Sequence, residues 1–561
     1  MDESRVRYGV ACGSLDGITE KKSRMSFRKK VLKLSSKEIG ARLFAGFLLV
    51  AAVFFWFSAS ASQAWAERLV VLHTNDHHGH PVAFPFGGEP AAGGLPARAT
   101  LVAEIRAENE NVLVLDAGDI NTGRPESNLF DARPDILGYN FIGYDAVAVG
   151  NHDFDRGRRV LAEQMSLARF PFLSANVRTS SGKLLAQPYI IKRFKGFNAA
   201  VFGLTTVQTA SITYPEHIAG LHFEDEVETA RKLVPRLRKQ ADVVIALVHL
   251  GIYDTARRGS LRLAREVPGI DLVVDGHSHT KLDKPIRVKI RVSGAFVPVV
   301  QAWKWGLVVG RVDMDIFGDG TSMAGFELLP VNLPPDKGGF RAGRIEENGD
   351  LSASLEPFLR KTNEMLSEPI TRVTTEITHR KGRTKGTSLG RLVAESMMWS
   401  ARALQPDFAV QNSGGIRDDI PRGTLTAKTI HQVLPFDNTV VVVDLEGKAL
   451  ARLLEHMAVG AARDGKGFPQ VSTGLEMEVE TGSGRIRKVL IGGKHLDMDR
   501  TYRVATNSYL AAGGDGYRVF VVSGQAHDTS ICQREALIDY IRQLGPRLSP
   551  LEAKPGIIVL R

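Results

Sequence analysis

From Arg68 onward the chain repeats one order: a short apolar run, a polar loop, then an amphipathic stretch. The runs are Leu69–Leu72, Val112–Leu115, Ala146–Val149, Phe172–Ser174, Ala199–Phe202, Val243–Val248 and Leu272–Val274. Runs this short, without polar alternation, predict strands buried on both faces. The stretches Ala97–Glu108, Val160–Leu167 and Val227–Lys239 space their apolar residues as helices do. Strands alternating with helices predict parallel βαβ units with helices over both faces of the sheet. The order holds to about Val331. There Leu333-Pro334-Pro335-Asp336-Lys337-Gly338-Gly339 and Glu346-Glu347-Asn348-Gly349 interrupt it, an exposed boundary rich in Pro, Gly and charge. A helical stretch, Leu351–Leu366, completes a linker over 333–366. Beyond it, strands are predicted at Asp407–Val410, Val440–Asp444, Val489–Ile491 and Tyr502–Thr506, and helices at Leu389–Ala403 and Lys448–Ala458. The second domain, 367–561, is thus an α/β or α+β mixture without internal repeat.

The first 66 residues break the pattern. Arg28-Lys29-Lys30, Lys33, Lys37 and Arg42 precede an uncharged run from Leu43 to Phe57, and Ala64-Trp65-Ala66 follows. That is a charged region, an apolar region and a small-x-small cleavage site, so we expect a signal peptide cut after Ala66 and a periplasmic protein. The leader is long enough that translation from Met25 would suffice. The apolar run falls short of the ~20 residues that span a bilayer; left uncut it would serve as a membrane anchor. Eleven Lys/Arg against 5 Asp/Glu give the leader +6, which leaves about +4 of the chain's +10 for residues 67–561. A bias that weak identifies no nucleic-acid polymer as partner, yet does not repel a phosphorylated substrate. The 561 residues exceed one core and imply two or three domains. Cys12 leaves with the leader, so Cys532 has no intrachain disulfide partner.

Chemistry gathers at the strand ends. After the first run stands His73-Thr74-Asn75-Asp76-His77-His78-Gly79-His80, and after the second Asp116-Ala117-Gly118-Asp119. Gly150-Asn151-His152-Asp153-Phe154-Asp155 follows the third, His249 a later one, and Asp275-Gly276-His277-Ser278-His279 the last. One Asp or His in a loop is ordinary; five clusters at carboxyl ends of parallel strands form a site. Carboxylate, imidazole and amide oxygen without thiolate suit Zn, Mn or Fe, with Zn or Mn favoured. Seven ligands exceed the needs of one ion. Two divalent ions bridged by a carboxylate fit better, and such a pair clamps the oxygens of a phosphoryl displacement.

Asp76-x-His78, Gly118-Asp119, Gly150-Asn151-His152-Asp153, His249 and Gly276-His277-x-His279 resemble the calcineurin-type metallophosphoesterase signature. The longer strings around His73–His80 and Gly150–Asp155 resemble the 5′-nucleotidase / UDP-sugar hydrolase family over essentially all of 67–561. The resemblance implies a four-layer αββα sandwich over 67–332, followed by a substrate-binding domain. It implies Asp76, His78, Asp119 and His279 at one metal, and Asp119, Asn151, His249 and His277 at the other. His152 would face the transition state, oriented by Asp155. Asp153, Asp116 and Asp275 are then loop supports, and His73, His77 and His80 structural or surface residues. Some relatives carry Gln where this chain has His279.

In the second domain, Asn412-Ser413-Gly414-Gly415-Ile416-Arg417, Leu434-Pro435-Phe436-Asp437-Asn438 and Tyr509–Tyr517 combine an amide, an arginine, aromatics and an Asp. They match the family's carboxy-terminal domain in order and spacing. The resemblance implies base stacking by Phe436 and Tyr509, contacts to nucleoside or phosphate from Asn412, Arg417 and Arg383, and a ribose contact from Asp515. Tyr509 stands where the family commonly has Phe, and Leu389-Gly390-Arg391-Leu392 where it has Leu-Gly-Asn-Leu. The expected activity is release of phosphate from nucleotides by a monomer or weak dimer, with the linker as hinge. UDP-sugar diphosphatase and 2′,3′-cyclic-nucleotide phosphodiesterase activities are the near alternatives. A sulfur-oxidation thiohydrolase and a non-catalytic nucleotide-binding protein are more distant ones.

Overall fold

Alternate residues of the first strand, Glu67–Thr74 (β1), enter two different cores: Leu69 and Val71 one, Val70 and Leu72 the other. The computed structural model describes residues 67–561 apart from 87–88, 254–257, 319, 334–343, 383, 463–466, 552–555 and 561. The expected leader, the middle of the linker and Arg383 lie outside the described residues.

After β1, the strands Val112–Asp116 (β2), Ala146–Ala148 (β3) and Phe172–Leu173 (β4) pair in parallel in one sheet. A second sheet holds Tyr189–Arg193 (β5), Asn198–Thr205 (β6), Val243–His249 (β7), Leu272–Asp275 (β8), Ile286–Lys289 (β9) and Phe296–Val300 (β10). Its order is β9-β10-β8-β7-β6-β5, parallel from β10 to β6 with antiparallel edges. The hairpin Val308–Phe317 (β11) and Gly320–Pro330 (β12) then returns to the first sheet, β11 lying antiparallel to β1.

The two sheets pack on each other. Leu69, Val71, Leu113 and Leu115 meet Val201, Ile245, Leu247 and Val274 in one buried core. The outer face of the first sheet is covered by helices Leu95–Glu108 (α1) and Gly157–Leu167 (α2), that of the second by Glu226–Leu237 (α3). This corrects the prediction of helices on both faces of a sheet. Each sheet has helices on one face and its partner sheet on the other, the four-layer sandwich that the family resemblance implies. Apolar runs report that both faces are buried, not what buries them. The hairpin was missed although its signal is present: Val312, Met314 and Ile316 are buried, while Arg311, Asp313 and Asp315, which alternate with them, are half-buried.

The helix Gly349–Leu366 (α4) starts on an Asn348 cap and sends Leu351 and Leu355 into the helix-side core of the sandwich. Phe358 also meets Phe130 edge-on at 5.0 Å. The helical part of the expected hinge is therefore docked.

The carboxy-terminal part is built on Phe408–Gln411 (β13), Thr439–Glu446 (β14), Gln470–Val471 (β15), Thr501–Asn507 (β16) and Gly524–Cys532 (β17), in the order β15-β13-β16-β14-β17. Ser388–Ser400 (α5) and Gln533–Leu544 (α7) pack on one face, Gly447–Ala462 (α6) on the other. The Val489–Ile491 run belongs to a separate four-stranded sheet as part of Ile486–Ile491.

Candidate metal and substrate site

β1, β2 and β3 end on one edge of the first sheet, β7 and β8 on the matching edge of the second, so the five clusters meet across the top of the sandwich. Three sets of side chains bring all their ligating atoms within 4.8 Å of one another: Asp76, His78 and His279; Asp119, His249 and His277; and His78, Asp119 and His152. Asp119 belongs to two of these sets. Its Oδ2 is 3.0 Å from His249 Nε2 and 3.9 Å from His78 Nε2. Asn151 Oδ1 lies 2.8 Å from His277 Nδ1, so all seven expected ligands converge.

The electrostatics suit cations. Burial pushes His277 down to about 3 and His279 to about 4, and holds His78 well below its ordinary range. These rings are neutral lone-pair donors, the form a metal ligand must take. His78 Nε2 and His279 Nε2 face each other at 3.0 Å. His249 goes the other way: burial lowers it, but the neighbouring Asp119 outweighs burial and raises it to about 10. Its buried Nε2 lies beside Asp119 outside hydrogen-bond geometry, an orphaned polar atom at the centre of the cluster. Lone pairs and carboxylates that converge with so few protons between them fit a pair of divalent ions.

The backbone is strained at the same points. Asp76, His78, Asp119, His277 and His279 have φ of 51°, 46°, 61°, 74° and 53°. A left-handed non-glycine residue costs ~1 kcal/mol, and such residues concentrate at functional sites. Hydrogen bonds hold the strained loops. Asp153 accepts from the N–H groups of Gly150 (2.8 Å), Ile120 (3.0 Å) and Asp119 (3.3 Å), tying two loops together. Asp116 accepts from the hydroxyls of Thr74 and Tyr139, and Asp275 from the N–H groups of Leu250 and Gly251. Gly150 must lack a side chain, because a Cβ there would meet Asp119 N at 2.6 Å and the Asp119 carboxylate closer still. We expect Gly150→Ala to weaken metal binding about 10–100-fold, the loss typical of disturbed ligand supports, in a calorimetric titration with the fold retained by circular dichroism.

Asn75 and the turn Ala302–Trp305 went unread as supports. The Asn75 amide donates to Asp76 Oδ2 (2.7 Å) and to the Trp303 carbonyl (2.6 Å) and accepts from Ala302 N–H (2.7 Å), while Trp305 N–H donates to the Asp76 carbonyl (2.7 Å). Trp303 and Trp305 are themselves left-handed, with φ 57° and 61°. Two of the chain's 5 Trp within three residues was the available signal. His73, His77 and His80 are structural as expected, but none is on the surface. His77 Nε2 pairs with Asp135 at 2.8 Å, His80 stacks on Trp305, and His73 stacks on Phe326.

His152 Nδ1 lies 2.7 Å from Asp155 Oδ2, and its backbone N–H donates to Asp119 Oδ1 at 2.8 Å. Burial disfavours the imidazolium, but Asp155 and then Asp119 outweigh burial and raise its pKa. These carboxylates thus favour the imidazolium beside the cluster, with Nδ1 committed to Asp155.

The carboxy-terminal candidates divide. Arg417 Nη2 comes within 3.4 Å of His78 Nε2, and the Phe436 ring lies 5.8 Å from that of His152 at a 31° tilt. The Arg417 guanidinium stands 5.9 Å from the Phe436 centroid. Asn412, Tyr509 and Asp515 form a second group: Asn412 Nδ2 donates to Asp515 Oδ2 (2.8 Å), and the Tyr509 hydroxyl lies 2.8 Å from Asp515 Oδ1 and 3.2 Å from the Ile212 carbonyl. Arg391, the departure at the start of α5, pairs with Glu395 on the next turn at 2.6 Å.

Family models match twice: calcineurin-like phosphoesterase over 69–281, and the 5′-nucleotidase C-terminal domain over 367–522. A 5′-nucleotidase of Vibrio cholerae is 37% identical, the match covering 90% of this chain and 96% of that protein. The UshA protein of Escherichia coli K12 is 34% identical over 92% of this chain and 97% of its own. The crystal structure of a 5′-nucleotidase precursor from Thermus thermophilus superimposes with a TM-score of 0.78 at 32% identity, covering 88% of this chain and 100% of that one.

Proposed function

The chain belongs to the 5′-nucleotidase family, and on that premise we propose that it is a metal-dependent phosphohydrolase releasing phosphate from nucleoside 5′-monophosphates. The observation that carries the reading is the convergence of the seven expected ligands, in three groups linked through His78 and Asp119 and with Asn151 against His277, and with Arg417 and Phe436 brought to the rim from the other domain. Residues 67–332 form the phosphoesterase domain and 367–561 the substrate reader. Asp76, His78, Asp119 and His279 would hold one divalent ion, and Asp119, Asn151, His249 and His277 the other, Zn or Mn ahead of Fe. Bound there, the ions supply an activated water and polarise the phosphoryl oxygens.

The protein's own groups do the rest. Asp155 holds the proton at His152 Nδ1, so the imidazolium presents Nε2 to the phosphoryl oxygens, where charge grows in the transition state. Arg417 adds a fixed cation beside His78. Phe436 and Tyr509 stack the base, Asn412 and Asp515 read the nucleoside, and Arg383 contributes a further cation. Cleavage after Ala66 delivers the enzyme to the periplasm as a monomer or weak dimer. Among the described residues, no helix is long and apolar enough to cross a membrane.

The test is residues 67–561 loaded with Zn or Mn and assayed for phosphate release from AMP, UDP-glucose, a 2′,3′-cyclic nucleotide and an aryl phosphate. Turnover of AMP above the aryl phosphate supports the reading; equal turnover of all four removes the base-reading role. Stacking on an aromatic is worth ~1–3 kcal/mol per base. Phe436→Ala should therefore raise KM for AMP about 10-fold or more, with a smaller change for the aryl phosphate, which has no base.

A further inference from the structure

Two neighbouring positions join the catalytic loop to the aromatic loop. Arg156 directly follows Asp155, and Asp437 directly follows Phe436. Arg156 Nη1 donates to Asp437 Oδ2 at 2.5 Å, and its Nη2 pairs with Asp131 at 3.2 Å. On the other side, Arg534 of α7 donates to Asp437 Oδ1 (2.5 Å) and to the carbonyls of Phe436 (2.7 Å) and Leu434 (3.1 Å). Asn128 of the sandwich donates to the Pro435 carbonyl at 3.2 Å. Pro435, Phe436 and Asp437 are thus each held, and Asp437 gives one carboxylate oxygen to each side.

We propose that Arg156 and Asp437 are a positioning pair that seats Phe436 against His152, so that nucleotide affinity depends on an ion pair between the two domains. This rests on the reading of Phe436 as a base contact. The chain supplies the leverage: Arg156 is the next residue after the carboxylate that orients His152, and Asp437 the next after the ring. Arg534 secures the loop within its own domain, while Arg156, together with the Asn128 contact to Pro435, holds it to the catalytic edge. The Arg156 and Asp437 side chains are 38% and 53% exposed, so salt screens the pair. Exposed pairs of this kind contribute at most about 5-fold to an equilibrium.

The test compares KM and kcat for AMP in the metal-loaded enzyme at about 0.01 M and about 1 M salt, between which the Debye length falls from ~30 Å to ~3 Å. Arg156→Ala should raise KM about 5-fold at low salt and flatten its salt dependence, with kcat changing far less. Arg156→Lys should restore part of the affinity, and Arg156→Ala should add little in an Asp437→Asn background. If Phe436→Ala raises KM and Arg156→Ala does not, the positioning role is wrong and the base contact stands. If Phe436→Ala leaves KM unchanged, the base contact fails and the pair with it. A fall in kcat for AMP and aryl phosphate alike would mean that Arg156 supports Asp155, and would also overturn the proposal.

Discussion

His152→Ala should lower kcat for AMP by about 10²–10⁴-fold, the range of a positioned acid–base or electrostatic group, while both metals stay bound. The two halves of that result separate the alternatives. His152 falls within ligand distance of His78 and Asp119, so geometry alone admits it as a metal ligand. Its Nδ1 is committed to Asp155, however, and Asp76, His78, His279, Asp119, His249, His277 and Asn151 form both candidate sites without it. Metal content should therefore stay at the wild-type ratio by elemental analysis; a loss of metal would make His152 a ligand. Asp155→Asn gives the complementary readout. The raised pKa of His152 keeps it cationic to higher pH, with burial opposing and Asp155 the leading cause of the rise. Without that carboxylate the pKa falls, so the alkaline limb of the kcat profile should move to lower pH. An unmoved limb would assign it to another group.

Asp119→Ala should reduce turnover by at least about 10³-fold, because the several kcal/mol of charge stabilisation supplied by metal ions is lost with them. The reason is position. Asp119 faces His249 at 3.0 Å in one set and His78 at 3.9 Å in the other, so its removal should empty both sites, whereas Asp76→Ala should empty one. Elemental analysis of the two variants decides it: equal metal loss would show that Asp119 does not bridge. The variant should fold, since Asp153 still ties the Gly118–Asn121 and Gly150–Asp153 loops through three backbone N–H groups when the bond from His152 N–H to Asp119 is lost.

The ligands were legible because they are the residue types that carry metal chemistry, and each follows a strand that an apolar run announces. Asn75 and the Trp303 turn were not, because they meet across 228 residues of chain and the turn answers the Asn75 amide with backbone groups that any sequence could supply. The burial of His77 was illegible for a related reason: its partners Asp135 and Arg98 lie on helices whose inward faces mix polar and apolar residues. The strands of the sandwich could be read, but not its second sheet, since a helix and a sheet impose the same apolar demand on the strand beneath. Arg417 and Phe436 meet His78 and His152, while the Tyr509 hydroxyl is set against Ile212 and Asp515. Spacing in a sequence orders motifs along the chain but does not measure how far each loop extends.

The docking of α4 narrows where a swivel of the carboxy-terminal half would lie. Leu351 and Leu355 are 0% and 1% exposed in the sandwich core, so this helix travels with the catalytic half as a strut. Any rotation of the carboxy-terminal half must then pivot past Leu366, at Ser367 and Glu368, before the strand Pro369–Val373 begins. A fulcrum two residues wide turns as a swivel and barely stretches. The contact of Arg156 with Asp437 would be among those that such a turn breaks.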